Sequence, residues 1–246
     1  METYCLLLER LDEEIDFAAL EAAADATQAI SRLDCLGLHR DMHGVVVAGL
    51  SHADALAFHG VLAAQGYATR LCADEDFPIL HESFQVQRLD RHADTLLLTS
   101  SMGRVIERRL EDLVFLAAGF YQKTDIVRSF DLRIEYDAGG GPSVVENRKY
   151  GEKKETDFRL DLFFANDPHR LNLGLTKDSA VFFHGRIHRQ KDRPGLTVMM
   201  EEVAGWLPVE RINTQLRDPQ RSLVYRGLHA YENEIRWHFQ RFMVTG

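Results

Sequence analysis

The chain has 246 residues, 45% of them hydrophobic and 27% charged, with a net charge of −9. That composition excludes a disordered or fibrous chain, and no apolar run approaches the ~20 residues that span a bilayer. The length exceeds one typical domain of ~100–150 residues.

Charge is unevenly spread. Residues 1–90 carry 16 acidic and 5 basic side chains, while residues 91–246 carry 22 and 24. The shift predicts an acidic α/β module over 1–90 and a second region over 91–246. An acidic surface repels phosphate, so no nucleic acid is expected on the first part. Met1–Arg10 has no basic leader and reads as a strand, not a signal peptide. Cys5, Cys35 and Cys72 are odd in number and far apart. They suit free thiols in a reducing cytoplasm.

In chain order, Tyr4–Arg10 is the first predicted strand. Phe17, Leu20, Ala24, Thr27 and Ile30 then follow a helical period from Asp16. Ser31–His43 gives no clear pattern. Gly44–Leu50, with three valines, predicts a buried strand. Ser51 and Asp54 have the Ser-x-x-Asp spacing of a capped helix start, and Gly66 stops that helix before a strand at Tyr67–Cys72. Strand, helix and strand predict a β-α-β unit with a right-handed crossover. Ser51–Leu71 resembles the matching segment of the ribosomal stalk protein's C-terminal domain in its Ser-x-Ala-Asp-Ala helix start and its late glycine. The resemblance implies a capped crossover and no functional residue.

Beyond residue 90, Thr95–Thr99, Val105–Arg109, Leu113–Ala118 and Phe130–Tyr136 read as short strands. Ala138–Pro142 reads as a break and Glu146–Asp157 as an exposed, mobile loop. Arg159–Phe164, Arg170–Leu175 and Ala180–His184 are further strands. A helix follows from Leu196 and ends at Pro208. Val224, Leu228, Tyr231, Ile235, Phe239 and Phe242 make one apolar stripe on a last helix. The expected fold is α+β: a small α/β sandwich, then a mostly antiparallel sheet or partial barrel closed by C-terminal helices. This arrangement is similar, at fold level, to pleckstrin-homology-like domains, which implies nothing about function.

Few motifs carry chemistry. Gly49-Leu50-Ser51-His52-Ala53 lacks the second glycine of a nucleophile elbow, so Ser51 reads as a helix cap. His184 and His188, with Asp167 and His169, are candidate metal ligands. The basic segment 184–193, with Arg186, His188, Arg189, Lys191 and Arg193, is a candidate anion site, and it also suits a solvated basic turn. His39, Asp41 and His43 form another polar cluster. Trp206 and Trp237 read as core. Glu234 and His238 read as an exposed i, i+4 pair. No Walker, Rossmann, HExxH or EF-hand pattern occurs, and no cofactor is expected. The leading expectation is a non-enzymatic binding or scaffolding protein of bacterial type, cytoplasmic, with a protein partner or a second copy of itself. The alternatives are a hydrolase-type enzyme with its site at the junction of the two parts, or an anion-binding module using segment 184–193.

Overall fold

The computed structural model describes residues 2–27, 29–136, 142–165, 167–221 and 223–243, with backbone alone for 125–136, 142–152 and 242–243. No described helix is long and apolar enough to cross a membrane. The architecture is α+β, with one three-stranded and two five-stranded sheets among the described residues.

The first part contains β1 (Tyr4–Leu8), α1 (Phe17–Thr27), α2 (Arg32–Asp41), β2 (Val45–Leu50), α3 (His52–Ala64) and β3 (Thr69–Ala73). Strand order is β2-β1-β3, with β1 antiparallel to both neighbours. The expected β-α-β unit is therefore split, with β1 between its two strands. The cause lies in β1 itself. Cys5, Leu6, Leu7 and Leu8 are all buried, so both faces need cover and the strand must be central. Leu6 and Leu8 meet the helices through Leu20, Phe58 and Leu62. Cys5 and Leu7 face the other way, onto Phe77 and Trp237.

The helix starts follow from short side chains. Ser51 Oγ accepts from the Asp54 amide at 3.2 Å and donates to the Asp54 carboxylate at 2.6 Å. Ser51→Ala should therefore lose about 1 kcal/mol in a urea titration, and Ser51→Asn should keep most of the stability. Labelling of Ser51 by a reactive-serine probe would contradict a purely structural role. The unread stretch 31–43 is α2, opened by a reciprocal box in which Ser31 Oγ accepts from the Asp34 amide at 3.2 Å.

The second part contains β4 (Ser83–Val86), β5 (Arg88–His92), β6 (Thr95–Thr99), β7 (Val105–Arg109), β8 (Leu113–Tyr136), β9 (Pro142–Phe164), β10 (Arg170–Leu175), β11 (Ala180–Phe183) and β12 (Arg186–Arg189). It ends in α4 (Arg193–Ala204), α5 (Thr214–Arg217), β13 (Val224–Tyr225), α6 (Leu228–His238) and a π-helical turn at Phe239–Met243. The sheet orders are β13-β8-β9-β10-β4 and β12-β11-β5-β6-β7. The region is mostly antiparallel, as expected, but among the described residues its strands form two sheets, each with parallel pairings, in place of one sheet or partial barrel. The chain at 83–92 runs parallel to 170–183, and both pieces pass from one sheet to the other. β4, counted in sequence with the acidic part, pairs only with β10.

The largest core lies where the two sheets and α4 meet, around Leu96, Leu98, Leu116, Phe158, Leu162 and Met199. Trp206 belongs to it and stacks on Phe183. β8 and β9 pair continuously from Leu113↔Phe164 to Tyr136↔Pro142. The stretch Glu146–Asp157, expected to be a mobile loop, is thus strand, paired residue by residue with β8. Residues 138–141 of the expected break lie outside the described residues, and Pro142 opens β9.

The stripe expected along one helix from Val224 to Phe242 is also divided. Val224 and Tyr225 pair in parallel with Phe120 and Tyr121, and the helix begins only after Gly227. Phe242's side chain lies outside the described residues. Tyr231 and Ile235 do bury the helix on the sheet, against Phe115 and Ala117. Those two β8 residues alternate with Leu116 and Ala118 of the main core, so β8 is covered on both faces.

Candidate functional site

α6 touches both parts of the chain. One side lies on β8; the other reaches β1, where Trp237 Nε1 donates to the Leu8 carbonyl at 2.7 Å. Arg236 Nε donates to the Pro78 carbonyl at 2.8 Å, with its guanidinium over Phe77. Gly44 makes this approach feasible. Its φ is +78°, and a Cβ there would stand 2.7 Å from Trp237 Cβ. That turn sets His43 against α6.

Glu234 sits at the contact and is fully buried. One oxygen accepts from the Thr214 amide at 2.7 Å, and the other accepts from the Tyr225 hydroxyl. His43 Nε2 lies 3.1 Å from Oε2, at ion-pair distance although off-line for a hydrogen bond. His238 Nε2 lies 3.5 Å from Oε1. Burial alone would raise the Glu234 pKa. The nitrogens of His238 and His43 outweigh it and hold the carboxyl well below its usual range. Burial, then the Glu234 charge, push the Tyr225 hydroxyl well up, so it stays a donor. Asn213 completes the group, donating to Tyr225 Oη at 3.1 Å and to the Ala118 carbonyl at 2.8 Å.

This network borders a cavity of about 720 Å³ at the junction, within the size range of ligand sites. His43 lines it, and its Nδ1 has no partner among the described residues. One wall, from the loop after β1, brings Glu9, Asp12, Glu13 and Glu14. The other brings Arg217, Arg221 and Arg226, all exposed. Among the described residues, none of these three arginines pairs with a carboxylate. By contrast Arg10 is matched to Asp12 at 2.8 Å, Arg40 to Asp41 at 3.1 Å and Arg241 to Glu9.

The residues singled out in sequence fare differently. His39, Asp41 and His43 separate: His39 packs edge-on to Phe17, Asp41 holds Arg40, and His43 joins Glu234. The Glu234–His238 pair is buried, not exposed, because α6 is covered from two sides. Ser51 is a cap. His184, Arg186 and His188 line a smaller cavity of about 280 Å³ with Glu202 and Met199. There His184 Nε2 faces Glu202 at 2.9 Å and His188 Nδ1 faces Asp192 at 3.7 Å. Burial pushes the His188 pKa down. Asp167 is held by Arg108 at 2.7 Å and accepts from the His169 amide. Among the described residues no three His, Cys, Asp or Glu side chains stand close enough to hold a metal. Arg189 and Lys191 lie outside that smaller cavity, and Arg193 lies over the Phe120 ring at 3.5 Å. Segment 184–193 therefore does not converge as a whole. No protein-family model, curated protein or solved structure matches this chain.

Proposed function

We propose that the chain is a binding protein whose ligand site is the junction cavity, and that the ligand offers an anionic group to Arg217, Arg221 and Arg226. The observation that carries this reading is that trio: three exposed guanidinium groups lining the junction cavity, without carboxylates of their own among the described residues. A guanidinium presents a planar fork of donors that fits phosphate or carboxylate in pairs. The acidic residues that also line the cavity favour a ligand that carries a positive or hydrogen-donating end as well. The apolar stripe of α6, which could have served a second chain, is already covered by the sheet. Support for a binding role thus rests on the cavity.

The test is a thermal shift series with inorganic phosphate, pyrophosphate and citrate at fixed ionic strength. Wild-type protein should melt higher as one of these anions rises, as mass action requires. The triple variant Arg217→Ala, Arg221→Ala, Arg226→Ala should lose that response while staying folded, although it gives up the hydrogen bond from Arg217 Nε to the Ile212 carbonyl at 3.0 Å. No response in wild type, or an equal one in the variant, would sink the proposal.

A second reading, an enzyme of hydrolase type at the same junction, is favoured by one feature: the open Nδ1 of His43 beside a buried carboxylate.

A further inference from the structure

We infer that His43 is a general base for hydrolysis of a phosphate monoester held on the arginine wall. The inference rests on the anion-binding reading of the cavity and adds the reaction and the substrate class.

Three features of the geometry lead there. First, the imidazole is fixed by polarity at one end and open at the other. Nε2 faces the Glu234 carboxylate at 3.1 Å, and Nδ1 has no partner among the described residues. In a neutral imidazole, a carboxylate beside Nε2 selects the tautomer with its proton on that nitrogen, which leaves the Nδ1 lone pair for a substrate-side proton. Second, the carboxylate is built to remain charged. It is buried, anchored by the Thr214 amide and the Tyr225 hydroxyl, and flanked by a second histidine, His238. Its negative charge steadies the imidazolium that forms when His43 takes a proton. Third, His43 shares its cavity with Arg217, Arg221 and Arg226. Phosphoryl transfer asks mainly for positioning and for positive charge around the equatorial oxygens. A monoester dianion is the ester whose charge best suits three guanidinium groups.

The step balances without an oxidant or co-reactant other than water. The oxygen of a water molecule bonds to phosphorus while its proton moves to His43 Nδ1. The bond from phosphorus to the ester oxygen breaks, and the proton passes from Nδ1 to the departing alkoxide. The products are an alcohol and inorganic phosphate, and His43 returns to its neutral form. Glu234 touches no reacting atom and is a positioning residue; His43 is the catalytic one.

The experiment follows p-nitrophenyl phosphate hydrolysis by the full chain, with inorganic phosphate binding measured in parallel by thermal shift. His43→Gln is the informative variant, because it keeps a polar side chain of similar length beside Glu234 while removing the ring nitrogen that would take the proton. Wild type should release p-nitrophenolate in a saturable way that inorganic phosphate inhibits. His43→Gln should lose at least about a hundredfold in rate, in keeping with the contribution of a general base, and still bind phosphate. Phosphate binding with no hydrolysis above the buffer rate overturns the role given to His43 and leaves the binding reading standing. A His43→Gln rate within about twofold of wild type does the same. Absence of phosphate binding in wild type overturns the role given to His43, and absence of a response to phosphate, pyrophosphate and citrate alike overturns both.

Discussion

Replacing Ile235 with alanine should lower the unfolding free energy by about 2–5 kcal/mol, the range for a large-to-small change in a packed core. Ile235 has no exposed surface and lies among Phe115, Ala117, Tyr225 and Tyr231. Sheet and helix meet closely here. Gly119 of β8 has no room for a side chain, since a Cβ would stand 2.5 Å from the Tyr225 ring. The site therefore cannot collapse to fill the space that Ile235 vacates, which places the cost toward the upper end. Phe239 is partly buried and packs edge-on to Phe115 and Phe163, at centroid distances of 5.1 and 4.9 Å. Phe239→Ala should fall toward the lower end. Two further measurements separate this from an intermolecular role. The melting temperature should not depend on protein concentration, and Ile235→Asp should leave an unfolded chain. A melting temperature that climbs with concentration, together with a folded Ile235→Asp monomer, would show the stripe serving a second copy.

Elements whose pattern is local were legible in the sequence. The valine run of β2, the Ser51 cap and the leucine run of β6 all carry their information within a few residues. The 31–43 stretch was missed although Ser31 and Asp34 repeat the Ser51–Asp54 spacing, because Gly37 and a polar composition hid the helical period. The stretch 146–157 misled for a different reason. Its charges leave no apolar alternation, and its strand character arises from pairing with β8, a contact that no short window contains. The parallel pairing of β4 with β10 is equally long-range. Individual strands were therefore easier to read than sheet order, and the split at β1 followed only from its burial on both faces.

The candidate site was harder to see because its parts come from distant segments. His43 stands on the turn before β2, Glu234 on α6, and Arg217, Arg221 and Arg226 around β13. A Glu and a His four apart on a helix ordinarily support each other in solvent. Here α6 is wedged between β8 and β1, so the pair is buried. One sequence signal was present: Trp237 lies off the Tyr231–Ile235 stripe, and a second large apolar residue on another face marks a helix covered from two sides. The histidines of segment 184–193 were conspicuous because they are close in sequence. Closeness in sequence did not make them converge with Asp167.

Glu234→Ala should cost about 3–5 kcal/mol, the penalty for breaking a buried charge cluster from one side. The change strands the Thr214 amide and the Tyr225 hydroxyl without their acceptor, and it removes the anion between His43 and His238. Glu234→Gln keeps an acceptor and should cost less, so the difference between the two variants isolates the charge. The pH dependence has a definite sign. Glu234 has a folded pKa below its ordinary value, so its contribution is complete above about 4.3 and fades as pH falls through the folded value. His238 has a folded pKa lowered by burial against the pull of Glu234. Below about 6.5 the unfolded chain gains a proton that the buried ring resists, so stability falls with pH there too. Wild-type stability should thus decline in two stages on acidification, and Glu234→Gln should weaken the more acidic one. Urea titrations between neutral pH and about pH 3 would measure both. Glu234→Ala within about 1 kcal/mol of wild type, with a gap that does not change with pH, would mean that the carboxylate holds neither histidine.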